Sequence, residues 1–260
     1  MIHSLFEPKN VSMVLATYKL IARSAYLTGE QLCYLRVAIA FFCFCVWVAT
    51  IATWHHFWTV LCGELLQLEG RSPETWYHGL LHFSTLNLLL MVVYFSSGAR
   101  SAFVDAEDNR TNVVANVLAY VVVPSCIGDS FVYWPVFYWN DTNYYQFTSD
   151  MIAMTVLNRA VCTILVVFEL WLSKTQIDAL QSWITALYVG GYILLSVLYT
   201  GATGFPIHAL LDARAGPLWV SYIGFAVVVL FGFGVAVSFG EFWKEHEGDT
   251  RSGARKEADT

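Results

Sequence analysis

His82-Phe-Ser-Thr85-Leu-Asn87-Leu-Leu-Leu-Met-Val-Val-Tyr94-Phe95-Ser-Ser-Gly98 forms most of an apolar run over residues 76–98. A helix of that length, rising about 1.5 Å per residue, crosses a hydrocarbon core of about 30 Å. Three of its groups are poor choices for a helix surrounded by lipid: His82, Thr85 and Asn87. Lipid offers no hydrogen-bond partner, so these side chains are expected to face other helices.

Five more runs of the same kind surround this one. With it they predict an all-α polytopic integral membrane protein of six transmembrane helices, over residues 32–62, 76–98, 112–139, 150–173, 180–201 and 217–240. Composition agrees. The 260 residues are 57% hydrophobic and 13% charged, about half the charge of a soluble domain. Pro124 inside the third run should kink it, since proline removes one helix hydrogen bond. Gly232, Ala236 and Gly240 in the sixth make a small-residue stripe, which lets a neighbouring helix approach closely.

The chain divides into an N-terminal segment (1–31), the transmembrane domain (32–240) and a polar tail (241–260) expected to be disordered. Val14, Tyr18 and Ile21 share one face of residues 11–27 and Lys19 and Arg23 another, which predicts an amphipathic helix on the membrane surface. Residues 1–31 are not expected to be a signal peptide, since no long apolar region follows a basic start and no small-residue cleavage site appears. Lys9, Lys19, Arg23, Arg100, Arg110, Lys174, Lys244, Arg251, Arg255 and Lys256 fall on one side of the six spans; only Arg71 and Arg214 fall on the other. Both termini are therefore expected to be cytosolic. A secretory-pathway or plasma membrane is the default location. The net charge of −6 and the lack of a basic patch argue against a nucleic-acid partner; membrane lipids are the expected partners. Cys33, Cys43, Cys45, Cys62, Cys126 and Cys162 form no CxxC or zinc spacing and read as small buried residues. No cofactor motif is present. His78 and His82, at i and i+4, lack a third metal ligand, so no metal is expected.

Charges inside spans are costly and usually face the bundle interior. Thr85, Asp129 and Arg159 each lie nine or ten residues from the non-cytosolic end of their spans, about 14 Å deep. They are expected to share a polar layer with Asn158, with Asp129 paired to Arg159. Such a pair serves either a site or only helix register. Glu169 is too far along the same helix to join it and is expected at the cytosolic interface. His82 lies one turn from Thr85 and is a candidate base for that hydroxyl. The alternative is that Thr85 bonds back to its own helix carbonyl.

The order of these features resembles the rolling-stone-like transmembrane proteins and the related androgen-induced-protein-like membrane hydrolases, over roughly residues 76–243. The resemblance rests on Phe83-Ser-Thr85 followed by Tyr94-Phe95 and Gly98, on Asp129 followed by Tyr133-Trp134, and on Leu157-Asn158-Arg-Ala-Val161 with Glu169 downstream. Gly204-Phe-Pro206, Leu211-Asp212 and Gly216-Pro-Leu-Trp219 resemble the loop before the last span. In the hydrolase branch a threonine of this segment and a span-four histidine are the proposed catalytic pair, acting on fatty-acid esters of hydroxy fatty acids. Thr85 matches the threonine. The histidine position falls on Arg159 or, in the other alignment, on Thr155. An arginine stays protonated and is a poor base. The resemblance thus implies a rolling-stone-type membrane protein acting through partners or lipids. The alternative is an intramembrane lipid-ester hydrolase with Thr85 as nucleophile and His82 as base.

Overall fold

The computed structural model describes residues 24, 26–57, 80–103, 109–134, 149–173, 177–203, 222–239 and 241. Six helices account for nearly all of them: α1 Gly29–Phe57, α2 Phe83–Phe103, α3 Asn109–Val132, α4 Ser149–Leu172, α5 Ala179–Thr203 and α6 Tyr222–Phe239. All but α2 are long and apolar enough to cross a membrane. Ser84, Thr85, Asn87, Ser96, Ser97 and Arg100 make α2 more polar. Its place explains that composition: α2 lies between α1 and α3 and touches α4.

The bundle is apolar on the outside, and its interior combines an apolar core with buried polar side chains. On α1, Tyr34, Val37, Phe41, Phe44 and Val48 point outward at alternating spacings of three and four, one stripe of a helix. The opposite face buries Arg36, Ile39, Cys43 and Thr50. Ile164 and Phe168 of α4, Trp183, Leu187, Leu194 and Leu198 of α5, and Ile223 and Val227 of α6 are likewise exposed. Thr85, Asn87, Asn116, Asn158, Arg159 and Glu169 are buried. Water would not tolerate apolar stripes of this extent, whereas a bilayer requires them. The chain is built as a membrane protein.

Contacts fix the directions of the helices. The start of α1 meets the ends of α2 and α4, through Arg36, Gly98 and Glu169. Thr185, Tyr188 and Tyr192 of α5 bond in turn to Tyr120 O, Asn87 and Leu81 O, so α5 runs antiparallel to α2. Gly128 faces Val228 while Pro124 faces Gly232, so α6 runs antiparallel to α3.

Two local devices hold α3. Pro124 has no N–H to give the carbonyl of Tyr120, and the Thr185 hydroxyl donates to that carbonyl instead, at 2.6 Å. At the α3/α6 crossing the backbones touch: a Cβ on Gly232 would collide with Pro124 O, and one on Gly128 would stand 2.6 Å from Val228 O. Ala236 is buried on the same stripe, while Gly240 lies outside the described residues.

The helices depart from their sequence-expected bounds for identifiable reasons. α1 starts three residues early because Thr28 and Gln31 form a capping box, each side chain accepting from the other's backbone N–H at 3.3 and 3.1 Å. α2 starts at Phe83, after a bend at His82 that follows helical residues 80–81. The expected amphipathic helix ends differently: Ser24, Tyr26 and Leu27 are not helical. Ser24 Oγ donates to Leu172 O at 2.7 Å and accepts from the N–H groups of Tyr26 and Leu27, which ties the entry of α1 to the end of α4. Residues 1–23, the segment 204–221 and the tail from 242 lie outside the described residues.

Candidate functional site

The site is built on a widened turn of α4. Residues Val156–Val161 form a π-helical segment, and the Cys162 N–H reaches back five residues to Leu157 O. Single π turns inside α-helices recur at functional sites, because they re-aim side chains and loosen carbonyls. Here the Arg159 carbonyl accepts from Ser130 Oγ of α3 at 2.7 Å. Ser130 and Thr163 hydroxyls meet at 2.6 Å, and Thr163 Oγ1 donates to Cys126 O at 3.1 Å. A polar seam thus locks the π turn to α3.

The turn aims Arg159 back at α3. Arg159 Nε donates to Asp129 Oδ2 at 3.1 Å. Its guanidinium carbon lies 3.4 Å from the centre of the Tyr133 ring, a close cation–π contact. The paired side chains retain some exposure, 9% for Arg159 and 15% for Asp129. Beside the pair is a small cavity of about 20 Å³, reached by Thr50 and Thr53 of α1, Ser84 of α2, and Thr155, Asn158 and Arg159 of α4. That is room for a water molecule or one oxygen-bearing group. Every polar liner can donate a hydrogen bond and none is a carboxylate. The Thr50 hydroxyl is buried and has no hydrogen-bond partner among the described residues.

Asp129 is thus paired with Arg159, and Arg159 and Asn158 line the cavity. Thr85 does not line the cavity; its neighbour Ser84 does. Thr85 is fully buried, and its hydroxyl bonds neither to its own helix nor to any described side chain. His82 Nδ1 lies 2.9 Å from Ser84 Oγ, the two held together by the bend that opens α2. Asn87 accepts from the Tyr188 hydroxyl at 2.8 Å, and its Nδ2 has no described partner. His78 lies outside the described residues.

Glu169 is the correction. It does not reach an interface but is 1% exposed and paired with Arg36, also 1% exposed. Arg36 Nε donates to Glu169 Oε1 at 2.9 Å, Nη2 donates to the same oxygen, and Nη1 donates to Gly98 O at 2.8 Å. Gly98 makes this possible: a Cβ there would stand 3.4 Å from three atoms of the Arg36 side chain. Arg36 is the residue that sequence reasoning missed. It is the only charged residue in 32–62. Four residues inside the span, it is placed where a long side chain would ordinarily reach for the interface, which hides a buried role.

No protein-family model, curated protein or solved structure matches the chain.

Proposed function

We propose that the chain is a multi-spanning membrane protein of the rolling-stone kind, with both termini cytosolic. In this reading it acts by holding an oxygen-bearing group of a membrane lipid in the polar cavity beside Asp129 and Arg159. The carrying observation is the unpartnered, buried Thr50 hydroxyl on a wall of hydroxyl, amide and guanidinium groups that can all donate and include no carboxylate. Buried hydroxyls are nearly always bonded, so an empty one marks a place for a missing acceptor. A lipid ester carbonyl or carboxylate oxygen supplies that acceptor, with its chain left in the bilayer. The alternating helix directions support termini on one side, and the distribution of Lys and Arg supports the cytosolic side.

The test is photo-crosslinking of a diazirine-bearing fatty-acid ester to the purified protein in detergent. Labelling should map to the peptide containing Thr155–Arg159 and fall severalfold in Thr50→Val and Asn158→Leu. Equal labelling of these variants, with all proteins folded, would reject the reading.

The hydrolase is the second reading. Its supporting observation is that Thr85 does not bond back to a helix carbonyl, which leaves the hydroxyl uncommitted. It requires a base in contact with Thr85, and His82 engages Ser84. Fluorophosphonate labelling and ester turnover that disappear in Thr85→Ala would establish it. Unchanged or absent labelling would remove it.

A further inference from the structure

We propose that Ser84 is the nucleophile of an acyl-transfer reaction, with His82 as its base, and that the polar cavity presents to them the carbonyl of a lipid's carboxylic ester. This rests on the cavity being the place of the ester, as read above, and adds that the ester reacts there. Two observations meet at Ser84. Its hydroxyl lies 2.9 Å from His82 Nδ1, within the reach that a nucleophile and its base require. It also lines the cavity, together with Thr50, Asn158 and Arg159. Thr85 meets neither condition: its hydroxyl has no hydrogen-bond partner among the described residues, and it does not line the cavity.

The contact is a product of the backbone. Side chains two residues apart do not face each other on a continuous helix. Here the chain bends at His82, after helical residues 80–81 and before α2. The His82 carbonyl accepts from the Leu86 N–H at 3.0 Å, so His82 opens the turn that carries Ser84. Around the same small space stand groups that answer the negative charge of an attacked carbonyl. Thr50 offers a hydroxyl without a described partner, Asn158 an amide, and Arg159 the Nη groups beyond its Nε bond to Asp129. Met151 and Met154 supply the apolar part of the wall. With about 20 Å³ of room, the cavity takes the carbonyl oxygen and leaves both chains of the ester outside. In the tautomer with its proton on Nε2, His82 Nδ1 takes the Ser84 proton as Oγ bonds to the carbonyl carbon and an electron pair moves to the carbonyl oxygen. The tetrahedral adduct then collapses: the bond to the alcohol oxygen breaks, and the alcohol leaves with that proton. Water repeats both steps on the acyl-serine, with Ser84 as leaving group. Each ester and water consumed thus yield one carboxylic acid and one alcohol.

The test treats the full-length protein in detergent with an alkyl fluorophosphonate and locates the adduct by tandem mass spectrometry of its peptides. The wild type should carry one adduct, on Ser84. Ser84→Ala should lose it, and His82→Gln should form it at least about a hundredfold more slowly, the lower end of what a general base contributes. The proposal is overturned if the folded wild type takes no adduct while the diazirine ester still cross-links to Thr155–Arg159, since the cavity would then bind without reacting. It is overturned if the adduct sits on Thr85, which would establish the threonine hydrolase instead, or if His82→Gln reacts at the wild-type rate. Loss of ester cross-linking in the wild type would reject the cavity as the ester site and this proposal with it, so the two failures are told apart.

Discussion

Two ion pairs are anchored on α4, ten residues and about 15 Å apart, and they differ in almost everything but charge. Arg36–Glu169 is sealed. Both side chains are 1% exposed, the arginine is further bound to Gly98 O, and a glycine is used to make room for it. Arg159–Asp129 is unfinished. It keeps some exposure, borders a cavity, sits on a π turn and has an unpartnered hydroxyl nearby. Buried charge held in this way by both partners, with only Glu169 Oε2 left without a described hydrogen bond, serves to fix three helices in register. On the proposed reading, a pair beside a cavity and an unpartnered hydroxyl is the place for a group that is not part of the chain. The same chemistry therefore reads as a lock in one place and as a site in the other, and the surroundings decide which.

The largest effect should come from breaking the lock. Glu169→Leu leaves Arg36 charged and buried, which should cost about 3–5 kcal/mol, on the order of ten degrees in Tm. Arg36→Met combined with Glu169→Leu should recover most of that loss. Wild-type melting of the single variant would show that the pair locks nothing. Gly232→Ala comes next. Its methyl cannot fit against Pro124 O without separating α3 from α6, and overpacking of this kind typically costs about 1–3 kcal/mol. A helix crossing that tolerates it would have to be looser than the Gly128–Gly232 contact implies. Arg159→Leu should be milder than Glu169→Leu, about 1–3 kcal/mol, because Asp129 is partly exposed and the cavity admits water. Asp129→Asn in the same chain should restore part of it. An Arg159→Leu loss as large as that of Glu169→Leu would erase the distinction between the two pairs. Thr185→Val removes the hydroxyl that replaces the amide missing at Pro124, and should cost about 1 kcal/mol by thermal melting. The smallest effect is expected for Thr85→Val. The Thr85 hydroxyl has no described partner and, unlike that of Thr50, does not belong to a cavity liner, so the isosteric change should be neutral or slightly stabilising. A clear loss of Tm would mean that Thr85 is bonded after all.

Much of this could be read along the chain, and what could not has a common cause. Residue depth along each span pointed to the Asp129–Arg159 contact, because helix rise is constant. Gly232 announced a close crossing, but its partner Gly128 has no stripe of its own. The π turn left no sequence signal, since it is held by Ser130 from another helix. Rotation about the helix axis was equally hidden. Thr85 and Ser84 are neighbours, and only packing decides that Ser84 rather than Thr85 meets the cavity. Glu169 was misplaced for the same reason. A lone acid near a helix end reads as interfacial until its partner is known, and the partner is 133 residues away. The capping box at Thr28 and Gln31 stands in the sequence as Thr-x-x-Gln, a signal that the expected start at residue 32 passed over, and it sets the start of α1.

The most direct test removes charge from each pair as a unit. Arg36→Met with Glu169→Leu, and Asp129→Leu with Arg159→Met, would each be purified, melted and cross-linked to the diazirine fatty-acid ester. If the first pair is the lock and the second the site, the first double variant labels like the wild type. The second melts within a few degrees of the wild type but loses most of its label. Full labelling of the second double variant, with its fold intact, would contradict the assignment of the polar cavity as the binding site.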